Sequence, residues 1–181
     1  ATAVLEGVQD LLFNHQNWGA EDGQALAAAL RLTRRVRHLD LGFNQLGDSG
    51  LCALATAAAG GCLRQLSTVK LHANRVGDQG TVALAGAIGA GSLPRLATLL
   101  LHINQVADVG VTALCKAMRR RAPKYPLEHL SLSKNRITGG GCKALAAALP
   151  KLPKLTQLRL EDNPCDPCGA GIEALVCACE K

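Results

Sequence analysis

The stretch LHANRVGDQGTVALAGAI, Leu71 to Ile88, returns thirty residues later as LHINQVADVGVTALCKAM, Leu101 to Met118. Both copies hold an asparagine, an aspartate, a glycine and an Ala-Leu pair at matching places. A mixed polar and apolar phrase recurring at a fixed interval marks stacked structural units. Aligned on its asparagine, the series extends to Asn17, Asn44, Asn74, Asn104, Asn135 and Asn163, at intervals of 27, 30, 30, 31 and 28 residues.

Apolar residues stand eight, five and three places before the asparagine, as in Leu66-Val69-Leu71 and Leu127-Leu130-Leu132. The last two alternate with outward positions, as a short half-buried strand requires. Another apolar residue follows two places after it: Leu46, Val76, Val106 and Ile137. Asp48, Asp78 and Asp108, with Thr138 in the fifth copy, then stand where a helix begins. They are read as N-caps, whose side-chain oxygens accept from the free N–H groups of the first turn. Ala-Leu pairs such as Ala83-Leu84 and Ala113-Leu114, with a small residue three or four places on, paint one helical face.

Each unit is thus strand, loop, helix, loop. No unit can bury its own apolar face, and stacking buries them all. Strands stack about 4.8 Å apart, whereas helices need roughly 10 Å of width, so the array must bend. The predicted fold is α/β: a curved solenoid of about six strand-loop-helix repeats, with a parallel sheet on the concave face and helices on the convex face. The asparagines suit the bend after the strand, where their amides would form a ladder through the stack. The plainer alternative is turn formation only.

The L-x-x-L-x-L-x-x-N core, as in LEHLSLSKN (Leu127 to Asn135), is followed by x-G-D-x-G-x-x-A-L, as in VGDQGTVAL (Val76 to Leu84). This pattern resembles the leucine-rich repeat family, in its long, helix-containing, ribonuclease-inhibitor-like subclass. The resemblance covers about Leu11 to Ala178 and implies a horseshoe that binds proteins. The family includes nuclease inhibitors, activators of a nuclear-transport GTPase and innate-immune sensor domains, so the fold does not choose among functions.

Residues 1–181 read as one domain, with 1–10 as an N-terminal capping segment and 11–178 as the repeats, compatible with a piece of a longer protein. The first unit reads as degenerate, with Asn14 in place of the third apolar strand residue. Apolar content is 48% but aromatic content only 2%, so Leu and Ala must build the core. No run approaches the roughly 18 apolar residues of a membrane span.

Twenty basic residues against fourteen acidic give a net charge of +6. The bases gather between each helix and the next strand, most densely in RRRAPKYP, which begins Arg119-Arg120-Arg121. The acids gather on the opposite loops. Helix-dipole compensation accounts for such a pattern at under about 1 kcal/mol per charge. A basic rim that docks an acidic partner, a nucleic-acid backbone or an anionic membrane surface is the sharper reading. The scarcity of aromatics for base stacking argues against nucleic acid.

All five histidines fall at expected inward strand positions: His15, His72 and His102 two residues before their asparagines, His38 and His129 six before. His72 and His102 should stack on adjacent strands, with Ser133 and Glu161 continuing the column. Three readings stand: tolerated polar residues on a sheet face, a partner-binding stripe with some pH sensitivity, or a metal pair. The mixture around them, including Lys70 and Arg159, suits protein recognition better than a small-molecule pocket.

Cys52, Cys62, Cys115 and Cys142 read as small apolar fillers, common in reducing, intracellular surroundings. The cytoplasm is the first expectation and an organelle the second. In the tail, Cys165, Cys168, Cys177 and Cys179 form C-x2-C-x8-C-x-C. That spacing leaves open a zinc clip, a disulfide staple or free thiols.

No phosphate-cradling loop, dinucleotide fingerprint or H-E-x-x-H appears, and no cofactor is implied. The expected function is a non-enzymatic recognition or scaffold module with a protein partner bearing an acidic patch. The expected contacts are Lys70, His72, His102, Arg159 and Glu161 on the sheet and Arg119, Arg120 and Arg121 at the rim. The alternatives are a GTPase-activating protein similar to the nuclear-transport member of the family, or a structural subunit of a larger assembly.

Overall fold

A strand of three residues buries one side chain and turns two outward, so it depends on its neighbours for stability. Six such strands occur in the computed structural model, which describes residues 7–122, 124–165 and 169–179, the side chain of Cys179 excepted. They are β1 (Asp10–Leu12), β2 (His38–Asp40), β3 (Thr68–Lys70), β4 (Thr98–Leu100), β5 (His129–Ser131) and β6 (Gln157–Arg159). All pair in parallel, in sequence order, as one sheet. Their central residues are in register: Leu11, Leu39, Val69, Leu99, Leu130 and Leu158. The first five are buried and Leu158, at the open end of the stack, is half-buried.

Five helices make the return crossings, α1 (Ala20–Leu30), α2 (Gly47–Ala59), α3 (Asp78–Gly89), α4 (Asp108–Arg121) and α5 (Gly139–Ala148), and α6 (Ala170–Cys179) follows the last strand. Each packs on the next along the outer layer. The core between the layers is Leu and Ala, with Leu41, Leu71, Leu101 and Leu132 fully buried beneath the strand ends. Each buried leucine contributes about 1.5–3 kcal/mol. The wide helical layer against the narrow sheet gives the curved solenoid that the repeat demands. No helix among the described residues is long and apolar enough to cross a membrane.

The asparagines stitch each repeat to the one before. Asn135 Nδ2 donates to the carbonyls of Leu101 and Leu132 at 2.9 Å each, while its Oδ1 accepts from the Val106 N–H at 3.0 Å. Asn44, Asn74, Asn104 and Asn163 make the equivalent bonds. Asn17 does not. The register of β1 with β2 sets Gln16 opposite Asn44, and Asn44 Oδ1 accepts from the Gln16 and Trp18 N–H groups at 3.1 and 3.0 Å. Gln16 therefore holds the ladder place of the first repeat. Asn17 lies one residue beyond, on the surface, where its Oδ1 accepts from the Gln45 side chain.

This shift corrects the view of the first unit as degenerate. Counted from Gln16, the residues eight, five and three places before are Val8, Leu11 and Phe13, a full apolar set packed on the core. Residues 1–6 of the expected capping segment lie outside the described residues.

The aspartates also differ from expectation. They cap, but not their own helices. Asp78 is the first residue of α3, yet its Oδ1 accepts from the Ala107 and Gly110 N–H groups of α4 at 2.8 and 2.9 Å. Asp48 serves α3 in the same way, through Gly77 at 2.7 Å and Gly80 at 3.0 Å. Asp108 serves α5 through the N–H of Thr138 at 2.8 Å. A first-turn side chain leans toward and past its helix's N-terminus, and here the neighbouring helix starts alongside. Local caps occur at α1, where Asp22 accepts from its own Gly19 N–H at 2.9 Å, and at α5, where Thr138 Oγ1 accepts from the Gly140 N–H at 3.4 Å as the sequence predicts.

Candidate functional site

Parallel strands in perfect register turn equivalent residues into columns, so the concave face is a grid read directly from the repeat. One column, from the ends of the strands, runs Leu12, Asp40, Lys70, Leu100, Ser131, Arg159. A second, two residues before the ladder position, runs Asn14, Gly42, His72, His102, Ser133, Glu161. The third lies one residue nearer the ladder, on the bend at the sheet edge: His15, Phe43, Ala73, Ile103, Lys134, Asp162. All six bend residues are in the left-handed region, with φ between 53° and 57°.

The first two repeats lay rings against the histidine column. The His72 and His102 rings stack with centroids 4.6 Å apart and planes 11° apart. The His72 ring meets Phe43 edge to face at 4.9 Å, and Phe43 stacks on His15 at 4.2 Å. The row His15–Phe43–His72–His102 is continuous. Gly42 makes it so, because a Cβ there would stand 2.2 Å from His72 Cε1. His15 joins through the bend column. It is not in the column of His72 and His102, for the one-residue reason that displaces Asn17.

Burial lowers the His72 pKa below the ordinary histidine range, and the neighbouring His102 adds to the effect against an opposing pull from Asp40. Burial lowers that of His102 as well, followed by Arg159 and Lys134. Both shifts favour the uncharged form of the stacked rings. His102 Nδ1 lies 3.3 Å from Ser131 Oγ.

Beyond His102 the face turns polar. Arg159 and Glu161 sit on the last repeat, both exposed. Glu161 accepts from Ser133 Oγ, and that bond holds its carboxyl below the usual carboxylate range. Lys70 is already committed to Asp40, with Nζ 3.0 Å from Oδ2. Among the described residues Arg159 has no carboxylate within ion-pairing distance. The structure thus gathers Lys70, His72, His102, Arg159 and Glu161 on one face.

It does not bring the arginine triplet there. Arg119 and Arg120 end α4 in the helical layer and line an open notch of about 500 Å³ with Lys116 and Lys151. Arg121 turns aside to pack over Gly91. Of the tail cysteines, Cys168 lies outside the described residues, and Cys177 is exposed on α6. Cys165 points the other way, with its Sγ 2.9 Å from that of Cys142. Among the described residues no group of three or more His, Cys, Asp or Glu side chains is disposed to hold a metal.

Phe43 and Ile103 were not legible as surface residues from strand alternation. They follow the strand, on a left-handed bend that turns an apolar side chain outward. The signal available was position: both stand one residue before the ladder asparagine.

Residues 36–55 and 126–146 match the family model described as Leucine Rich repeat. A search of curated proteins finds no match. Among solved structures, the protein is similar to one titled Leiomodin-1 Actin-Binding Site 2, at 14% identity and a TM-score of 0.57, over 99% of its own length and 85% of the other's. An internalin from Listeria monocytogenes aligns at 19% identity and a TM-score of 0.43, over 81% of this protein and 47% of the internalin. With six strand-bend-helix units in one parallel sheet, an asparagine in the bend of five of them and two units matching that repeat's model, the protein has the fold of a leucine-rich repeat solenoid.

Proposed function

We propose that the protein is a recognition module that binds a protein partner on its concave face, with the aromatic row as anchor and Arg159 and Glu161 as a polar border. One observation carries the reading. Phe43 and Ile103 are 45% and 42% exposed while held in a left-handed backbone conformation. That conformation costs roughly 1–2 kcal/mol for residues with a Cβ, and for a β-branched residue it is an outlier. The part of each side chain left in water adds little to the fold, whereas an interface gains from it, since aromatic anchors and arginines dominate binding energy. The likeness to a structure named for actin binding supports a macromolecular rather than a small-molecule ligand. The 28–31-residue units with full helices support the ribonuclease-inhibitor-like subclass.

The basic notch favours an acidic partner. Arg119, Arg120, Lys116 and Lys151 have no carboxylate within ion-pairing distance among the described residues, so they are available to steer association. Pull-down from a native extract, with partners identified by mass spectrometry, tests both ideas. Phe43→Ser with Ile103→Ser should abolish capture of a partner that the wild type retains. Charge reversal at Arg119 and Arg120 should weaken capture at low salt only. Retention of every partner by the Phe43/Ile103 variant would sink the concave-face reading.

A further inference from the structure

Between β4, β5 and β6 the concave face dips into a hollow of about 220 Å³. Its sides are Leu100, His102, His129, Gln157 and Arg159, and its floor holds Ser131, small and buried. We propose that this hollow is a carboxylate subsite, taking the acid group of a glutamate side chain or of a polypeptide C-terminus on the bound partner. The inference rests on the reading of the concave face as the recognition surface, and narrows it to one chemical group.

Two features select that chemistry. Every polar side chain at the hollow carries a donor: the Arg159 guanidinium, the Gln157 amide, the His129 imidazole, and the Ser131–His102 pair, which share one hydrogen bond and keep one donor for a visitor. Among the described residues no acid lines it. The nearest acid in the column beside Arg159, Glu161, is occupied by Ser133, which leaves the guanidinium fork for a visitor. Arginine's planar fork matches a carboxylate through two parallel hydrogen bonds. Leu100 gives one side of that pairing an apolar wall.

Size is the second. Sites for drug-sized molecules run to roughly 300–1,000 Å³, so this hollow suits one side-chain group.

The test needs no identified partner. An isotope-labelled sample of the whole protein is titrated and followed by amide chemical shifts. The probes are N-acetylglutamate α-methylamide for the side chain, N-acetyl-leucine for a C-terminus, N-acetylglutamine α-methylamide as the uncharged match, and inorganic phosphate. A carboxylate probe should shift the amides of His129, Ser131 and Arg159 saturably, with a Kd on the order of millimolar, and the neutral match should not. Which acid binds more tightly assigns the source. Arg159→Gln should weaken binding by roughly tenfold or more, with Arg159→Lys recovering part of it. The shift pattern elsewhere reports that both variants remain folded.

Probe binding and partner capture are read separately, so failure of the probes overturns only the subsite, whereas retention of every partner by the Phe43/Ile103 variant overturns the concave-face reading. Equal binding of the neutral match, binding of phosphate alone, indifference to Arg159→Gln, or no shift at these amides would each overturn the proposal.

Discussion

Asp78 and Gly110 occupy one another's space: the aspartate Oδ1 accepts from the glycine N–H at 2.9 Å and would lie 2.7 Å from a Cβ there. The aspartate and the second glycine of the repeated G-D-x-G phrase are thus two halves of one contact, split across neighbouring repeats. Asp48 with Gly80 repeats it at 3.0 and 2.8 Å.

Removing the carboxylate isolates the cap. Asp78→Ala should lower unfolding free energy by about 1 kcal/mol, the usual size of a lost helix cap. The location of the loss is diagnostic. Hydrogen exchange should quicken at the first turn of α4, around Gly110, and not at the first turn of α3. Exchange confined to α3 would show that Asp78 caps its own helix after all.

The glycine half predicts that the two effects are coupled. Gly110→Ala forces the new methyl against the Asp78 carboxylate and Thr81, at 2.7 and 3.1 Å, and should cost about 1–3 kcal/mol as overpacking does. With Asp78 already alanine, the same change loses much of its penalty, because alanine suits a helix interior better than glycine by roughly 0.5–1 kcal/mol. Urea unfolding of the two single variants and the double variant measures the coupling. Strictly additive effects would mean that the two residues do not share the site.

The corrected ladder is tested by Asn135 against Asn17. Asn135→Ala strands the buried Val106 N–H and takes one of two asparagine donors from each of the Leu101 and Leu132 carbonyls. An orphaned group costs about 1–3 kcal/mol, so a loss of about 2 kcal/mol is expected. Asn17→Ala removes one exposed side-chain contact and should stay within about 0.5 kcal/mol of the parent. Comparable losses in the two variants would restore Asn17 to the ladder.

The contrast marks where sequence reading succeeded. Buried positions repeat with a period, because each repeat offers the same slot to the same kind of side chain. The strands, helices, core leucines and stacked His72–His102 pair were therefore legible. What lay between repeats was less so. Alignment by asparagine alone placed the first anchor at Asn17, although Val8, Leu11 and Phe13 carry the spacing that points to Gln16. The aspartates look like local caps because a sequence shows the helix that follows, not the helix alongside. The split of Arg119 and Arg120 from Arg121 depends on where each guanidinium finds room to pack, which spacing does not encode.

The stacked histidines should tilt stability with pH. Both have folded-state pKa values below the ordinary range, with burial the first cause in each. The unfolded protein titrates near about 6.5. As pH falls through that value the unfolded state takes up protons first, so stability drops until the lower folded-state values are passed. His72→Gln with His102→Gln should therefore shrink the difference between urea midpoints at about pH 7.5 and about pH 5.5. An undiminished difference would place the acid sensitivity elsewhere. Asp108 acts lower on the scale. Burial alone would raise its pKa, but the hydrogen bonds from Thr138 and Gly141 outweigh burial and leave it depressed. Its stabilising part is present above about pH 4 and fades as pH falls below that.

Cysteine reactivity should follow burial, not proximity in the sequence. Burial pushes the thiol of Cys115 up to about 12. It does the same for Cys142, where contact with Cys165 adds to the effect and the value is again about 12. Since the thiolate is the nucleophile, a thiol four units above the working pH keeps only about one part in ten thousand reactive. Cys177 is exposed on α6. Iodoacetamide at about pH 8 should modify Cys177 first and leave Cys115 and Cys142 intact until the protein unfolds, as peptide mass mapping over time would record. Early alkylation of Cys142 would mean that the last two repeats part readily, exposing the 2.9 Å sulfur contact that joins them.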